Sequence, residues 1–208
     1  MKNEIEATFL GVDKDATRIA LQNAGFMLKI PEYIMRRNTF DFSHATPNKN
    51  RWGRVRQEFD RVTMTIKEVT GRGIHDTFET ELIVNDFDSA VAFFEACNIP
   101  LQSLQENFRE VWAREAVEAT IDTWPGLRPF VEIEGPDELT VRKASSDIGF
   151  NFTEAIFGSV ALIYEKELGI PATIINQLPE ITFDKPPLPK TSTSVEKNLL
   201  SRRDSGSR

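Results

Sequence analysis

The chain has 208 residues, 40% of them hydrophobic, with 15 Phe to supply core bulk, and it carries a formal net charge of −7; this fits one domain, or one domain with a tail. Bases outnumber acids from Lys185 onward, so residues 1–184 are more acidic than the chain as a whole, and a body of that sign excludes general nucleic-acid binding because its field repels phosphate. The lone cysteine, Cys97, excludes an internal disulfide, and the two histidines, His44 and His75, lie far apart and speak against a His/Cys zinc site.

No apolar run approaches a membrane span, and no apolar stretch follows Met1-Lys2-Asn3-Glu4. The expectation is a soluble cytoplasmic protein, monomer or homodimer, with no membrane partner. Residues 4–10 read as a strand with Glu4, Glu6 and Thr8 on one face and Ile5, Ala7 and Phe9 on the other. A helix follows, capped by Asp13 or Asp15, making apolar contacts through Ile19 and Leu21 and stopped by Gly25. Strands are expected at 33–42, 52–58, 61–69 and 76–84, with a turn-rich loop after the first and the Gly71-Arg72-Gly73 turn before the last.

Asp86 or Asp88 caps a second helix through Cys97, with Val91, Phe93 and Phe94 toward the core and Cys97 read as a small buried hydrophobe. Strands near 107–113 and 116–122 form a hairpin, and the Trp124-Pro125-Gly126 turn feeds a strand at 128–134. A third helix runs from Gly135-Pro136-Asp137 to Gly149, and a fourth covers about 153–168. The text from Lys185 to Arg208 has no periodic apolar face and is expected to be a disordered basic tail, leaving 1–184 as the folded unit. Hairpin strands with helices between them argue for α+β with a mostly antiparallel sheet.

Within these strands, charges of one sign recur two apart: Glu4 and Glu6, Arg54 and Arg56, Glu79 and Glu81, Glu132 and Glu134. Each pair shares a face, and like charges on one face repel unless an opposite charge lies between them. A face carrying acidic pairs beside a basic one suits a cation and a polyanion held together, which is metal-assisted phosphate chemistry. Two arrangements satisfy the pattern: an open sheet with a solvated charged face, or a sheet closed with that face inward as a charged tunnel.

The ordered series resembles the CYTH family, which groups class IV adenylate cyclases with thiamine triphosphatases and other triphosphate tunnel metalloenzymes. The residues that carry the resemblance are Glu4 and Glu6, Arg54 and Arg56, Thr65 and Lys67, Glu79 and Glu81, Arg109, Asp122, and Glu132 with Glu134, together with the stretch Ile121-Asp122-Thr123-Trp124-Pro125-Gly126-Leu127. It spans about residues 3–170. The resemblance implies an eight-stranded antiparallel β-barrel, a tunnel with helices packed around it. It implies Mg²⁺ or Mn²⁺ on Glu4, Glu6, Asp122, Glu132 and Glu134, a choice that suits hard oxygen donors. It implies a small-molecule triphosphate, tripolyphosphate or ATP, gripped by Arg54, Arg56, Lys67 and Arg109, the last two also catalytic, with Glu79 and Glu81 supporting the bases. Arg36, Arg37 and Arg51 are candidates to extend this basic wall, and a register shift of one residue would turn any of them outward.

Two bases of the family pattern are missing: Thr8 stands where Glu-x-Glu-x-Lys has its lysine, and Asn107 where Lys-x-Arg has its first base. Arg128 replaces a frequent glycine. Each lost charge-assisted contact is worth about 1–3 kcal/mol, and Arg128, Arg36 or Arg37 are candidates to compensate. Three functions follow from the resemblance: a metal-dependent triphosphatase, preferred because it needs only grip, metal and water; an adenylate cyclase releasing pyrophosphate; or a triphosphate-binding module weakened by Thr8 and Asn107.

Overall fold

The computed structural model describes residues 1–47 and 50–189. The strands are β1 (Lys2–Glu4), β2 (Glu6–Phe9), β3 (Met27–Asp41), β4 (Arg51–Gln57), β5 (Val62–Val69), β6 (Thr77–Val84), β7 (Leu101–Arg114), β8 (Val117–Thr123), β9 (Phe130–Glu134) and β10 (Glu180–Ile181). The helices are α1 (Lys14–Asn23), α2 (Phe87–Ala96), α3 (Glu138–Ile148), α4 (Val160–Leu168) and α5 (Ala172–Ile175). No helix among the described residues is long and apolar enough to cross a membrane.

The wall runs in the order β1-β6-β5-β4-β3-β7-β8-β9-β2, and every neighbouring pair in it is antiparallel. Its two ends, β1 and β2, are consecutive in the chain and separated only by Ile5. The N-terminal segment thus changes partner in mid-course: Glu4 pairs with Thr77 on β6, while Glu6 pairs with Glu134 on β9. The Ile5 carbonyl accepts from Gly135 N (3.1 Å) at the join. One broken strand therefore nearly closes the sheet into an α+β barrel, and counting it once leaves the eight strands expected.

The apolar faces point outward, beneath the helices. Ala7, Phe9, Trp112, Ile121, Val131 and Ile133 pack with Leu21 of α1 and Val141 of α3. Phe40, Val55 and Val62 cluster with Phe94 of α2, and Trp124 and Phe130 with Ile163 and Tyr164 of α4 and Ile175 of α5. With the oily side of the sheet covered from outside, its charged side is left to line the lumen, and the open-sheet alternative falls away.

Local signals set the helix ends. Asp13, Asp86 and Asp137 each accept a backbone N–H of the first turn, from Ala16, Ser89 and Thr140. Gly149 ends α3 with φ of 102°, a conformation that favours glycine. The strands β3 and β7 start earlier than expected, at Met27 and Leu101, because they pair with each other along most of their length. The single helix expected over 153–168 is a short 3-10 turn (Phe152–Glu154) and then α4. Between them Ile156 bridges to Thr8, diverting the chain to the barrel rim, and Gly158 turns back with φ of 118°.

Two further expectations need correction. Ile19 and Phe93 are exposed, at 59% each, because α1 and α2 dock through Leu21 and Phe94 on their other faces. Cys97 is exposed as well, since it is the C-cap of α2 and turns to water. At the C-terminal end Pro187 is buried and its carbonyl lies beside Gly126. Of the expected tail, residues 190–208 lie outside those described.

Candidate active site

The charged faces enclose a cavity of about 760 Å³ lined by Glu4, Glu6, Arg37, Arg54, Arg56, Lys67, Glu79, Glu81, Arg109, Glu132 and Glu134. Strand pairing brings them together. Arg37 on β3 sits opposite Arg56 on β4, Arg54 opposite Thr65 on β5, Thr65 opposite Glu81 on β6, and Lys67 opposite Glu79. Across the lumen, Glu6 on β2 faces Glu134 on β9, and Glu134 faces Glu118 on β8. Phe157–Leu162, Ala172, Ile175 and Asn176, from the helical region after β9, line one end.

Most bases hold an acid. Lys67 Nζ donates to both oxygens of Glu4 (2.7 and 2.5 Å) and lies 3.6 Å from Glu79. Arg56 bonds Glu58 (2.9 and 2.5 Å) and lies 3.7 Å from Glu81, while Arg54 lies 3.8 Å from Glu81. Glu79 and Glu81 thus sit among the bases. Burial, then Arg56, lowers Arg54 to about 10, with Glu4, Glu79 and Glu81 opposing.

Arg109 is anchored most firmly. Its guanidinium takes both oxygens of Asp122 (2.9 and 2.7 Å) and one of Glu132 (2.7 Å). Burial alone would lower this guanidinium's proton affinity, but Asp122 and Glu132 outweigh it and hold Arg109 well above its ordinary value. Asp122 also accepts from Asn107 Nδ2 (2.7 Å) and Thr120 Oγ1 (2.9 Å), and it is fully buried behind the lining.

On the opposite side, Glu6 and Glu134 have no ion-pair partner among the described residues. Burial and then Glu4 and Glu132 push Glu6 well above the carboxylate range, with Glu134 adding to the effect. Burial, then Glu4 and Glu79, raises Glu134 to about 7. Glu132 is raised by burial and then Asp122, against Arg109 and Lys67. Crowded carboxylates that resist ionising together suit a hard divalent cation, which their oxygens would ligate. As the side chains stand, no metal-binding group of three or more His, Cys, Asp or Glu is gathered among the described residues: Glu4 is turned to Lys67 and Glu132 to Arg109.

The candidate compensating bases divide. Arg128 is outside, paired with Glu167 (2.7 Å). Arg36 lies over the Phe87 ring on the outer surface, and Arg51 pairs with Glu68 at the cavity edge. Arg37 also lines the cavity and is buried there, its guanidinium carbon 4.5 Å from the Trp124 ring centroid. Thr8 is buried and paired in register with Glu132, and both its backbone groups bond Ile156.

Sequence reasoning missed Glu58 and Glu118. Both were within reach of period-two counting, since Glu58 continues the phase of Arg54 and Arg56, and Glu118 that of Thr120 and Asp122. Glu58 gathers Arg56, Arg61 and the Thr63 hydroxyl. Burial opposes its ionisation, but Arg56 and then Arg61 hold it down at about 2.

No model of a protein family matches this sequence, and no curated protein matches it. Solved structures do match in fold. The PH1012 protein of Pyrococcus horikoshii aligns with TM-score 0.62 at 17% identity, over 73% of this chain and 93% of that one. A Vibrio parahaemolyticus protein described as a proposed adenylate cyclase aligns with TM-score 0.63 at 14% identity, over 79% and 98%. A proposed adenylyl cyclase from Hippeastrum, described as having a dominant triphosphatase activity, aligns with TM-score 0.51 at 13% identity, over 81% and 98%. The shared fold is consistent with the CYTH resemblance in the sequence.

Proposed function

We propose that the barrel is a metal-dependent triphosphatase acting on tripolyphosphate or on a nucleoside or other organic triphosphate. The observation that carries this reading is the gathering of charge in one cavity, where Arg37, Arg54, Arg56, Lys67 and Arg109 share the lining with the carboxylates of Glu4, Glu6, Glu132 and Glu134. The described activity of the Hippeastrum protein, on the same fold, supports it.

In this reading the lining residues divide the chemistry among them. Arg54 and Arg56 present forked donors to phosphate oxygens, and Lys67 a compact charge. Lys67 and Arg109 neutralise the negative charge that spreads over a phosphoryl group in transfer, the main demand of this reaction. Glu4, Glu6, Glu132 and Glu134 would hold Mg²⁺ or Mn²⁺, which when bound screens phosphate oxygens and makes a coordinated water more acidic. Asp122, with its oxygens already taken, keeps Arg109 in position.

The test is product identification after incubation with tripolyphosphate and with ATP, each with Mg²⁺ or Mn²⁺. Orthophosphate release that disappears in Glu6→Gln supports the reading. Cyclic AMP with pyrophosphate would replace it by the cyclase, and binding without turnover by the binding module. Unchanged rates in Glu6→Gln and Glu132→Gln would remove the metal site from the mechanism.

A further inference from the structure

Position 107, where the resemblance leads one to expect a lysine, is not vacant of function in this fold. Asn107 is completely buried, and its amide is used at both ends. Its Oδ1 accepts from Arg37 Nη2, while its Nδ2 donates to Asp122 Oδ1 (2.7 Å) and the Phe108 carbonyl (3.2 Å). Only this orientation sets an acceptor against the arginine and a donor against the aspartate. A lysine has three donors and no acceptor, so it would satisfy Asp122 but repel Arg37.

Arg37 is the odd member of the basic wall. It is 7% exposed, and among the described residues it has no ion-pair partner, whereas Arg54, Arg56, Lys67 and Arg109 each have at least one. Its Nε is buried with no hydrogen-bond partner, as is that of Arg54. Its guanidinium carbon lies 4.5 Å from the Trp124 ring centroid, and burial, then Arg54, Arg56 and Arg109, disfavours its charge. A buried cation without a counter-ion is costly, and the cost is removed when an anion arrives. A neutral amide holds such a cation without neutralising it, as a carboxylate would.

We infer that Arg37 takes over the role of the lysine absent from position 107, that Asn107 is its positioning residue, and that with Trp124 they form a phosphoryl subsite. This rests on the triphosphate reading above. The cationic group has moved from β7 to β3, and Asn107 is the residue that makes the move compatible with Asp122.

The experiment is calorimetric titration of the full chain with inorganic tripolyphosphate in EDTA, so that no metal ion takes part in the comparison. The variants are Arg37→Gln, Asn107→Ala, Asn107→Lys, the doubles Arg37→Gln/Asn107→Ala and Arg37→Gln/Asn107→Lys, and Arg54→Gln as a reference. Loss of one charge-assisted phosphate contact predicts about tenfold weaker binding for Arg37→Gln. Asn107→Ala should weaken binding several-fold alone and add nothing in the Arg37→Gln background. Asn107→Lys should weaken it too, and Arg37→Gln/Asn107→Lys should recover most of the wild-type affinity.

Wild-type affinity in Arg37→Gln with weakened Arg54→Gln would overturn the inference and leave the triphosphate reading standing. Asn107→Lys binding more tightly than wild type with Arg37 in place would do the same. If wild type binds only with Mg²⁺ or Mn²⁺ present, the same comparisons are made with the metal; a wild-type protein that binds tripolyphosphate in neither condition would overturn both. If Arg37→Gln does not fold, Arg37→Lys serves instead: it keeps the charge but loses the fork, so several-fold weaker binding is expected, and unchanged affinity overturns the inference.

Discussion

Lys67 donates to both carboxylate oxygens of Glu4, at 2.7 and 2.5 Å, and both side chains are buried. A base and an acid of the lumen thus satisfy each other. Burial pushes Glu4 up, but Lys67, then Arg54 and Arg56, bring it below the ordinary carboxylate value. Lys67→Met leaves a buried carboxylate without its main partner, and the expected loss is about 3 kcal/mol of folding stability. Adding Glu4→Gln should recover much of it, giving a coupling of about 1–3 kcal/mol in a double-mutant cycle by urea unfolding. Strict additivity would show that the pair does not interact in solution.

Glu134 predicts a loss of stability as pH rises. Its folded value of about 7 lies above the ordinary 4.5. Between those limits the folded state binds the extra proton, so stability falls as pH rises from about 4.5 to about 7, by about 2–3 kcal/mol. Glu134→Gln should flatten that part of the pH–stability curve, and Mg²⁺ or Mn²⁺ should raise the melting temperature most at its upper end. A profile identical to wild type in the variant would contradict the assignment.

Glu58 titrates at the acid end. Held at about 2 against an ordinary 4.5, it contributes stability that is fully present above about 4.5 and lost as pH falls toward 2. Because the group is partly open to solvent, the contribution is reduced by screening to about 1–2 kcal/mol. Glu58→Gln should lose that amount at neutral pH and become less sensitive to acid. Melting curves from pH 2 to 7 decide it.

Outside the lumen, Arg18 holds the buried carboxylate of Glu110, which also accepts from Trp112 Nε1 (2.6 Å). Arg18→Met should cost about 2–3 kcal/mol of stability, because it leaves that carboxylate with too few donors. Tripolyphosphate affinity should not change. A matching loss of affinity would mean that the outer shell and the lumen are coupled.

Much of the site was legible because a strand has period two. Glu4 with Glu6, Arg54 with Arg56, and Glu132 with Glu134 had to share faces, and the structure puts each pair in one lumen. Helix starts were legible for a similarly local reason, a carboxylate reaching the N–H three residues ahead at Asp13, Asp86 and Asp137. Ile19 and Phe93 were misread because helical spacing shows which residues share a face but not which face meets the sheet, and Cys97 because the helix ends just before it.

What the sequence by itself determined is the alternation: which charges stand together, in what chain order, and that they belong to a face distinct from the oily one. Only the tertiary structure decided that this face is the inner one. That follows from α1–α5 covering the apolar side and from a single segment changing partner at Ile5 to close the wall. It also decided which spare arginine enters: Arg37 reaches Asn107, 70 residues away in sequence, while Arg128 turns out to Glu167. Period-two spacing sets side-chain direction relative to neighbours on the same strand, but contact across strands depends on pairing register, which no local signal carries.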